Sequence, residues 1–404
     1  MTSRNAARVS VFVAAVAAGA CGDNYAVAPD AVMPDATPPF AIAPHGATPE
    51  LVSGGGVVLT APKFQPIFFT GDSAMQAQIE DFGRMLAGST YWHDTTSEYG
   101  VGDITLLPTI VSTDPVPTTD TALNAWIVAQ LDGTHTAWGT PDQNTIYSVF
   151  LPEGAVLQSP FGNSCQAYGA YHDELAGTQG EHIVYALMPR CNPGPSALAE
   201  LTASTSHELV EAATDPNVET TAAFGYVDDD HAIWGFTPGA ETGDFCEYLD
   251  NAYRPLVGSF IVQRTWSNAA AKAGHDPCVP STGPYIAAAP VLTEDVAMTD
   301  GPVGPQMTKG VKVPIGTPKT IEVDLFSDVP TSDWTVTAID LASAFDGTAK
   351  ELMFTWDKQK GNNGDKLHLT ITRVRAGSFG GSEFLITAKN ATEDVSQWWA
   401  YAAN

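Results

Sequence analysis

The chain has 404 residues, 46 of them acidic and 18 basic, for a formal charge of −28. An excess of that sign excludes a nucleic-acid partner held by basic patches, and 44% hydrophobic against 16% charged residues excludes an acidic disordered chain. The charge is uneven: residues 22–283 hold 31 acidic and 6 basic residues whereas 284–404 hold 15 and 10, which predicts two different folded parts.

Arg4 and Arg8 precede an apolar run over residues 9–20 that is too short to cross a bilayer as a helix. The pattern predicts an export signal over 1–21. Ala18-Gly19-Ala20-Cys21 resembles a bacterial lipobox whose cysteine, Cys21, is lipidated after cleavage; the other reading of the same residues is ordinary cleavage near Ala20. No other stretch reaches the roughly 18 apolar residues of a membrane span, so the expectation is an exported lipoprotein, at the cell surface or in the periplasm, attached to a membrane by lipid alone. Ala, Pro and the triplet Gly54-Gly55-Gly56 then predict a flexible linker over 22–60.

Residues 61–283 read as an α+β domain. Residues 66–70 form a short apolar run, and Met75, Ile79, Phe82 and Leu86 recur at helical spacing after it. A second helix is expected over 119–131, buried strands over 145–151 and 182–188, and a long helix over 196–214, stopped by Asp215-Pro216. Beyond Pro284 the period changes to two, with Ile321, Val323 and Leu325, then Trp334, Val336 and Ala338, then Leu352, Phe354 and Trp356, then Leu367, Leu369 and Ile371. Alternation of that kind predicts half-buried antiparallel strands, and its length over 284–404 suits an immunoglobulin-like β-sandwich.

Apart from Cys21 there are four cysteines, an even number in a chain expected to be exported. Three pairings are possible, and Cys165 with Cys191 and Cys246 with Cys278 are favoured because each closes a local loop. Neither a CxxC pair nor a cysteine zinc cluster is present, so all four are expected to be structural.

The segment that carries chemistry is Ser206-His207-Glu208-Leu209-Val210-Glu211. His207 and Glu211 stand four apart on a helix and therefore share a face, where they can grip one ion. That is the arrangement of the HExxH helix of zincin-like proteases, with Glu208 as the carboxylate that polarises a water, although here the motif is HExxE. The cofactor expected is zinc, with a lower Lewis acidity than a neutral histidine shell confers, because Glu211 adds a negative charge. Further ligands are expected from Glu241 and Asp244 in Glu241-Thr242-Gly243-Asp244-Phe245-Cys246, with His172 in a separate loop as an alternative. The competing structural reading makes Thr205 and Glu208 a capping box. The run Asp228-Asp229-Asp230-His231 lacks the spacing of a calcium loop and reads as a solvated turn.

Between Phe64 and Pro280 the sequence resembles the plant phosphate-induced, EXORDIUM-like proteins and their bacterial relatives. The resemblance rests on Ile79-Glu80-Asp81-Phe82, Trp92, Tyr99, Thr214-Asp215-Pro216, Trp266-Ser267-Asn268, Cys246 and Cys278. It implies an extracellular setting and a cell-surface binding or adhesion module, since the plant members are not established as enzymes. They carry small or apolar residues where His207 and Glu208 stand, so at those positions this chain is closer to a metallopeptidase. Two readings follow: a metal-dependent, peptidase-like hydrolase acting on an extracellular peptide, or a non-catalytic module that binds a cell-surface polymer.

Overall fold

The computed structural model describes residues 40–404 apart from 193, 237, 300–303, 333, 346, 378–379 and 392; the signal segment, Cys21 and the start of the linker lie outside the described residues. The first part of the fold runs, in chain order, β1 (Lys63–Phe69), α1 (Ser73–Ala87), α2 (Thr90–Thr96), β2 (Thr105–Leu106), β3 (Ile110–Ser112), α3 (Asp120–Gln130) and β4 (Thr145–Phe150). It continues with β5 (Tyr171–Ala176), β6 (His182–Met188) and α4 (Ala197–Thr214). Strands β1, β4 and β6 are parallel neighbours, β2 and β3 flank β1, and β5 closes the other edge antiparallel to β6. Parallel strands covered on both faces must be apolar throughout, which is why β4 and β6 appear in the sequence as continuous hydrophobic runs.

Alternate residues sort onto the two faces. Phe64, Phe68, Ile146, Phe150, Val184 and Met188 meet Ile79, Phe82 and Leu86 of α1 and Leu209, Val210 and Ala213 of α4. Ile67, Phe69, Tyr147, Val149, Tyr185 and Leu187 meet Leu123 and Ile127 of α3. Helix α1 follows the spacing read from the sequence, and α3 is capped by Thr119 Oγ1, which accepts from Ala122 N at 3.2 Å.

The segment before β1 corrects the linker expectation, which extends to residue 60. From Ala41 onward the chain belongs to the same compact unit as the rest. Ala43, Leu51 and Leu59 are buried, Leu51–Val52 pairs antiparallel with Tyr226–Val227, and Gly54 N donates to Ala223 O at 2.8 Å. Glycines that look like linker composition there permit close packing: a Cβ on Gly56 would lie 2.0 Å from the Thr221 carbonyl oxygen.

After α4 come α5 (Asp244–Glu247), the hairpin β7 (Tyr253–Pro255) and β8 (Ile261–Gln263), then β9 (Thr265–Trp266), α6 (Asn268–Lys272) and β10 (Cys278–Val279). Both disulfides join the favoured partners, Cys165 with Cys191 and Cys246 with Cys278.

The C-terminal part comprises β11 (Ile286–Pro290), β12 (Glu294–Met298), β13 (Gln306–Lys312), β14 (Lys319–Ser327), β15 (Trp334–Asp340), β16 (Leu352–Trp356), β17 (Lys360–Gly361), β18 (Lys366–Arg373), β19 (Gly381–Lys389) and β20 (Asp394–Ala403). One sheet has the order β11-β14-β18-β16 and the other β12-β13-β20-β19-β15-β17. Their inward residues, among them Val323, Leu325, Leu369 and Ile371 facing Val336, Phe384, Ile386 and Trp399, share one core. That core extends into the first part of the fold. Trp234 packs on Phe245 at 5.1 Å, Trp266 at 5.6 Å and Trp398 of β20 at 6.1 Å, between ring centroids.

Candidate metal centre

Helix α4 is buried along nearly its whole C-terminal half, because the sheet covers one side and the 241–246 loop and β8 cover the other. Its hydroxyl side chains tolerate this burial by bonding backward to the helix or across to β8. Thr205 Oγ1 donates to Leu201 O at 2.6 Å, and Ser206 Oγ accepts from Gln263 N at 2.9 Å. The capping-box reading therefore fails: Thr205 lies in mid-helix, and the Glu208 carboxylate turns instead to His172, with Oε2 3.4 Å from Nδ1.

All six site residues singled out in the sequence converge here. From α4, His207 Nε2 lies 2.8 Å from Glu211 Oε2. His172 Nδ1 lies 3.9 Å from the same Glu211 Oε2, and His172 Nε2 lies 3.3 Å from Glu241 Oε1. Asp244 stands at the rim, with Oδ1 3.9 Å from His207 Nε2. Its contribution to Glu211 comes mainly from the backbone: Gly243 N and Asp244 N donate to Glu211 Oε1 at 2.8 and 3.2 Å. The location of His172 corrects the sequence reading, which puts it in a loop. It sits in edge strand β5 opposite Ala186, and its side chain is 2% exposed. The disulfide Cys246–Cys278 anchors the acidic loop directly behind Asp244. Asp228, outside the centre, accepts from Asp230 N and His231 N and so closes a helical turn over Asp229–Gly235.

Three participants are not signalled by any sequence pattern. Gln263 Oε1 faces His207 Nδ1 at 3.0 Å while its Nε2 donates to Gly243 O at 2.9 Å. With the amide orientation set in that way, Oε1 accepts from His207 Nδ1 and the Nε2 side is turned to the carboxylates. Gly243 is required by contact, since a Cβ there would lie 2.7 Å from His207 Nδ1 and 2.8 Å from Glu211 Oε1. The Asp215 carbonyl is 3.3 Å from His172 Nε2.

The electrostatics of the cluster are those of negative charge held away from water. Burial works against the charged form of His172, but the carboxylates of Glu241 and Glu208 hold its pKa well above the ordinary histidine value. Burial likewise opposes charge on His207, and Glu211, then Glu208 and Asp244, outweigh it and raise the pKa well above the ordinary value. Burial raises Glu211, and burial together with Glu211 raises Asp244 far above the carboxylate range. Glu241 is held low despite burial by the His172 imidazole. Among the described residues no Lys or Arg forms an ion pair with Glu208, Glu211, Glu241 or Asp244. Burying carboxylates costs several kcal/mol per charge unless cations are at hand, and here the imidazoles of His172 and His207 stand in that place.

The donor types are those of a divalent-cation site: His207, Glu208 and Glu211 form one group and His172, Glu211 and Glu241 another, each with one ligand atom per residue within 4.8 Å of the others. The contacts at His172 involve both ring nitrogens, Nδ1 toward Glu208 and Glu211 and Nε2 toward Glu241, and one ion takes only one of them. Glu241 Oε1 is occluded from solvent, with His172 Nε2 as its polar neighbour at 3.3 Å.

No protein-family model matches this sequence, and no curated protein does. Among solved structures, the solution NMR structure of a lipoprotein from Bacteroides thetaiotaomicron is similar to part of the chain, at 10% identity over 31% of this chain and 82% of that one, with a TM-score of 0.19. A score of that size defines no shared fold.

Proposed function

We propose that the chain is an exported, lipid-anchored surface protein whose α+β part is a zincin-like, metal-dependent hydrolase, acting on a peptide or related amide bond. The observation that carries this reading is the convergence of His207, Glu208 and Glu211 from one helix with His172 and Glu241 from two distant segments, in a buried cluster without Lys or Arg partners. Export is supported by the signal-like N-terminus and by two disulfides, which persist in oxidising compartments. Among the described residues no helix is long and apolar enough to cross a membrane.

In this mechanism His207 and Glu211, with Glu241 or Asp244 as a further ligand, would hold zinc. When bound, the ion supplies Lewis acidity toward a carbonyl oxygen. Glu208 Oε2 takes a proton from the water that attacks the carbonyl carbon and returns it to the amine released as the C–N bond breaks, while His172 Nδ1, 3.4 Å away, orients the carboxylate. The C-terminal sandwich is immunoglobulin-like in this reading. Its support is strand order: β11-β14-β18-β16 corresponds to A-B-E-D and β20-β19-β15 to G-F-C.

One observation favours the non-catalytic, EXORDIUM-like reading: the Glu208 side chain is only 5% exposed. Elemental analysis of the purified mature protein, followed by peptidase assay of Glu208→Gln, separates the two. The hydrolase reading requires retained zinc in both proteins and turnover only in the wild type. Equal turnover in both makes the ion structural, and absence of metal leaves the binding module.

A further inference from the structure

We infer that the mouth of this centre carries a subsite for a lysine or arginine side chain, formed by Tyr248, Tyr253 and Glu247, so that the peptides it takes are those with a basic residue beside the bond to be cleaved. This rests on the hydrolase reading above and names its substrate class. Both tyrosines are placed by elements already described. Tyr253 stands directly across the β7–β8 ladder from Gln263, and paired residues of an antiparallel ladder project from one face with Cβ atoms about 4.5–5.5 Å apart. Gln263 Oε1 is 3.0 Å from His207 Nδ1, so a single side chain separates Tyr253 from the candidate ligand. Tyr248 follows α5 immediately, four positions after Asp244, and its ring packs on Phe345 of the sandwich and on Trp399 of β20, each at 5.7 Å between centroids. Both phenols lie within electrostatic reach of Glu247 and His207, and Tyr248 also within that of Tyr253.

Although held by their neighbours, the rings stay open to solvent: Tyr248 is 42% exposed, Tyr253 50% and Phe345, beside Tyr248, 56%. Large rings fixed in place yet half exposed at the edge of a site form a recognition surface rather than a core. Charge selects the occupant. Glu247 comes three residues after Asp244, on the same side of the α5 turn, and among the described residues no Lys or Arg forms an ion pair with it; Lys389, from the sandwich, pairs instead with Asp250 at 3.6 Å. Arg254, next to Tyr253 in sequence, projects from the other face of β7 and donates to Pro280 O and Ser281 O at 2.9 and 3.1 Å. Two tyrosine rings with one unpaired carboxylate offer a basic side chain an apolar bed for its methylene stem, a π face and a counter-charge for its head. A neutral apolar side chain would gain only the rings, and an acidic one would meet like charge.

The test uses the full mature chain with Zn2+ in the buffer and two blocked peptides, alanines around one arginine and the same peptide with citrulline, its uncharged isostere. Affinity is read by calorimetry at about 0.15 M salt, where the field of a chain of formal charge −28 is screened beyond about 8 Å, and cleavage of the same peptides is read separately. The arginine peptide should bind about tenfold more tightly. That preference should fall to about threefold in Glu247→Gln and in Tyr253→Leu and be kept in Tyr253→Phe, which retains the ring. Equal affinities, or binding of neither peptide, overturn the subsite. A preference that survives both Glu247→Gln and Tyr253→Leu overturns it as well, since it marks general attraction to an acidic chain. Cleavage decides the other reading independently: the tenfold preference without cleavage keeps the subsite and removes the hydrolase, whereas cleavage of both peptides at equal affinity keeps the hydrolase and removes the subsite. The wild-type comparison decides even where a variant fails to fold.

Discussion

Replacing Gly243 by alanine adds one methyl group and tests whether the acidic loop is fitted against helix α4. Gly243 has φ −79° and ψ −39°, ordinary right-handed backbone, so alanine meets no conformational obstacle there. The obstacle is space: the methyl carbon would lie 2.7 Å from His207 Nδ1 and 2.8 Å from Glu211 Oε1, where unstrained contacts begin at 3.4 Å. Relief requires a shift of more than half an ångström, either by His207 away from Gln263 or by the loop away from Glu211. Overpacking costs about 1–3 kcal/mol, and losing an N–H donor to a charged carboxylate costs about 1.5–3 kcal/mol. Against these stands a gain of about 0.4–1 kcal/mol from a less flexible unfolded chain. The net expectation is a loss of about 2–4 kcal/mol in urea unfolding, together with weaker metal retention. Gly283→Ala is the control, since its Cβ meets nothing within 4 Å and should change stability by less than about 0.5 kcal/mol. If Gly243→Ala unfolds at the wild-type urea concentration and keeps its metal, the loop is not seated on the helix as described.

Removing either disulfide should cost about 3.5 kcal/mol in the chain-entropy model, given sequence separations of 26 and 32 residues. Only the Cys246→Ala/Cys278→Ala pair should also release metal, because His172 is held by the β5–β6 ladder rather than by Cys165–Cys191; equal metal loss from both pairs would refute that distinction. Burial pushes the Asp215 carboxyl up to about 6, with its N–H bond from Ala223 acting in the opposite direction. A carboxyl raised in the folded state favours folding while protonated, so this contribution is present below the unfolded value near 3.9 and is lost as pH rises through about 6. Asp215→Asn should therefore be the more stable protein at pH 7, by up to about 3 kcal/mol, with the difference vanishing near pH 4; a pH-independent difference would argue against it. Finally, Cys21→Ala should move the protein from the membrane fraction to a soluble exported form, and equal solubility of the two would leave ordinary secretion.

The legible parts of this molecule are those whose signal is local. The spacing of His207 and Glu211 lies within one helical turn, the apolar runs of β4 and β6 follow from burial on both faces, and the period of two beyond Pro284 follows from strands with one inward face. Strand β5 was opaque for a physical reason. Its inward positions hold His172 and Glu174, so polar residues occupy the places where alternation would show hydrophobic ones. Only the ladder to β6, a long-range contact, makes it a strand. Gln263 is hidden in the same way, since its role depends on the β7–β8 hairpin lying against α4, 56 residues from His207. Gly54, Gly55 and Gly56 misled through composition: close backbone approach and a mobile linker favour the same residue.

Trp234 sits where three lineages of packing meet, touching Phe245 beside the acidic loop, Trp266 at the Cys278 hairpin and Trp398 in the last strand. The consequence is that no cut near residue 283 yields two self-sufficient pieces. A truncated first part would present Trp234, Phe245 and Trp266 to water as a greasy stump, and the isolated sandwich would lose the ring that covers Trp398. Expression of either fragment alone should give aggregation that the intact chain does not show, and exchanging the sandwich for another module would demand a matching aromatic socket.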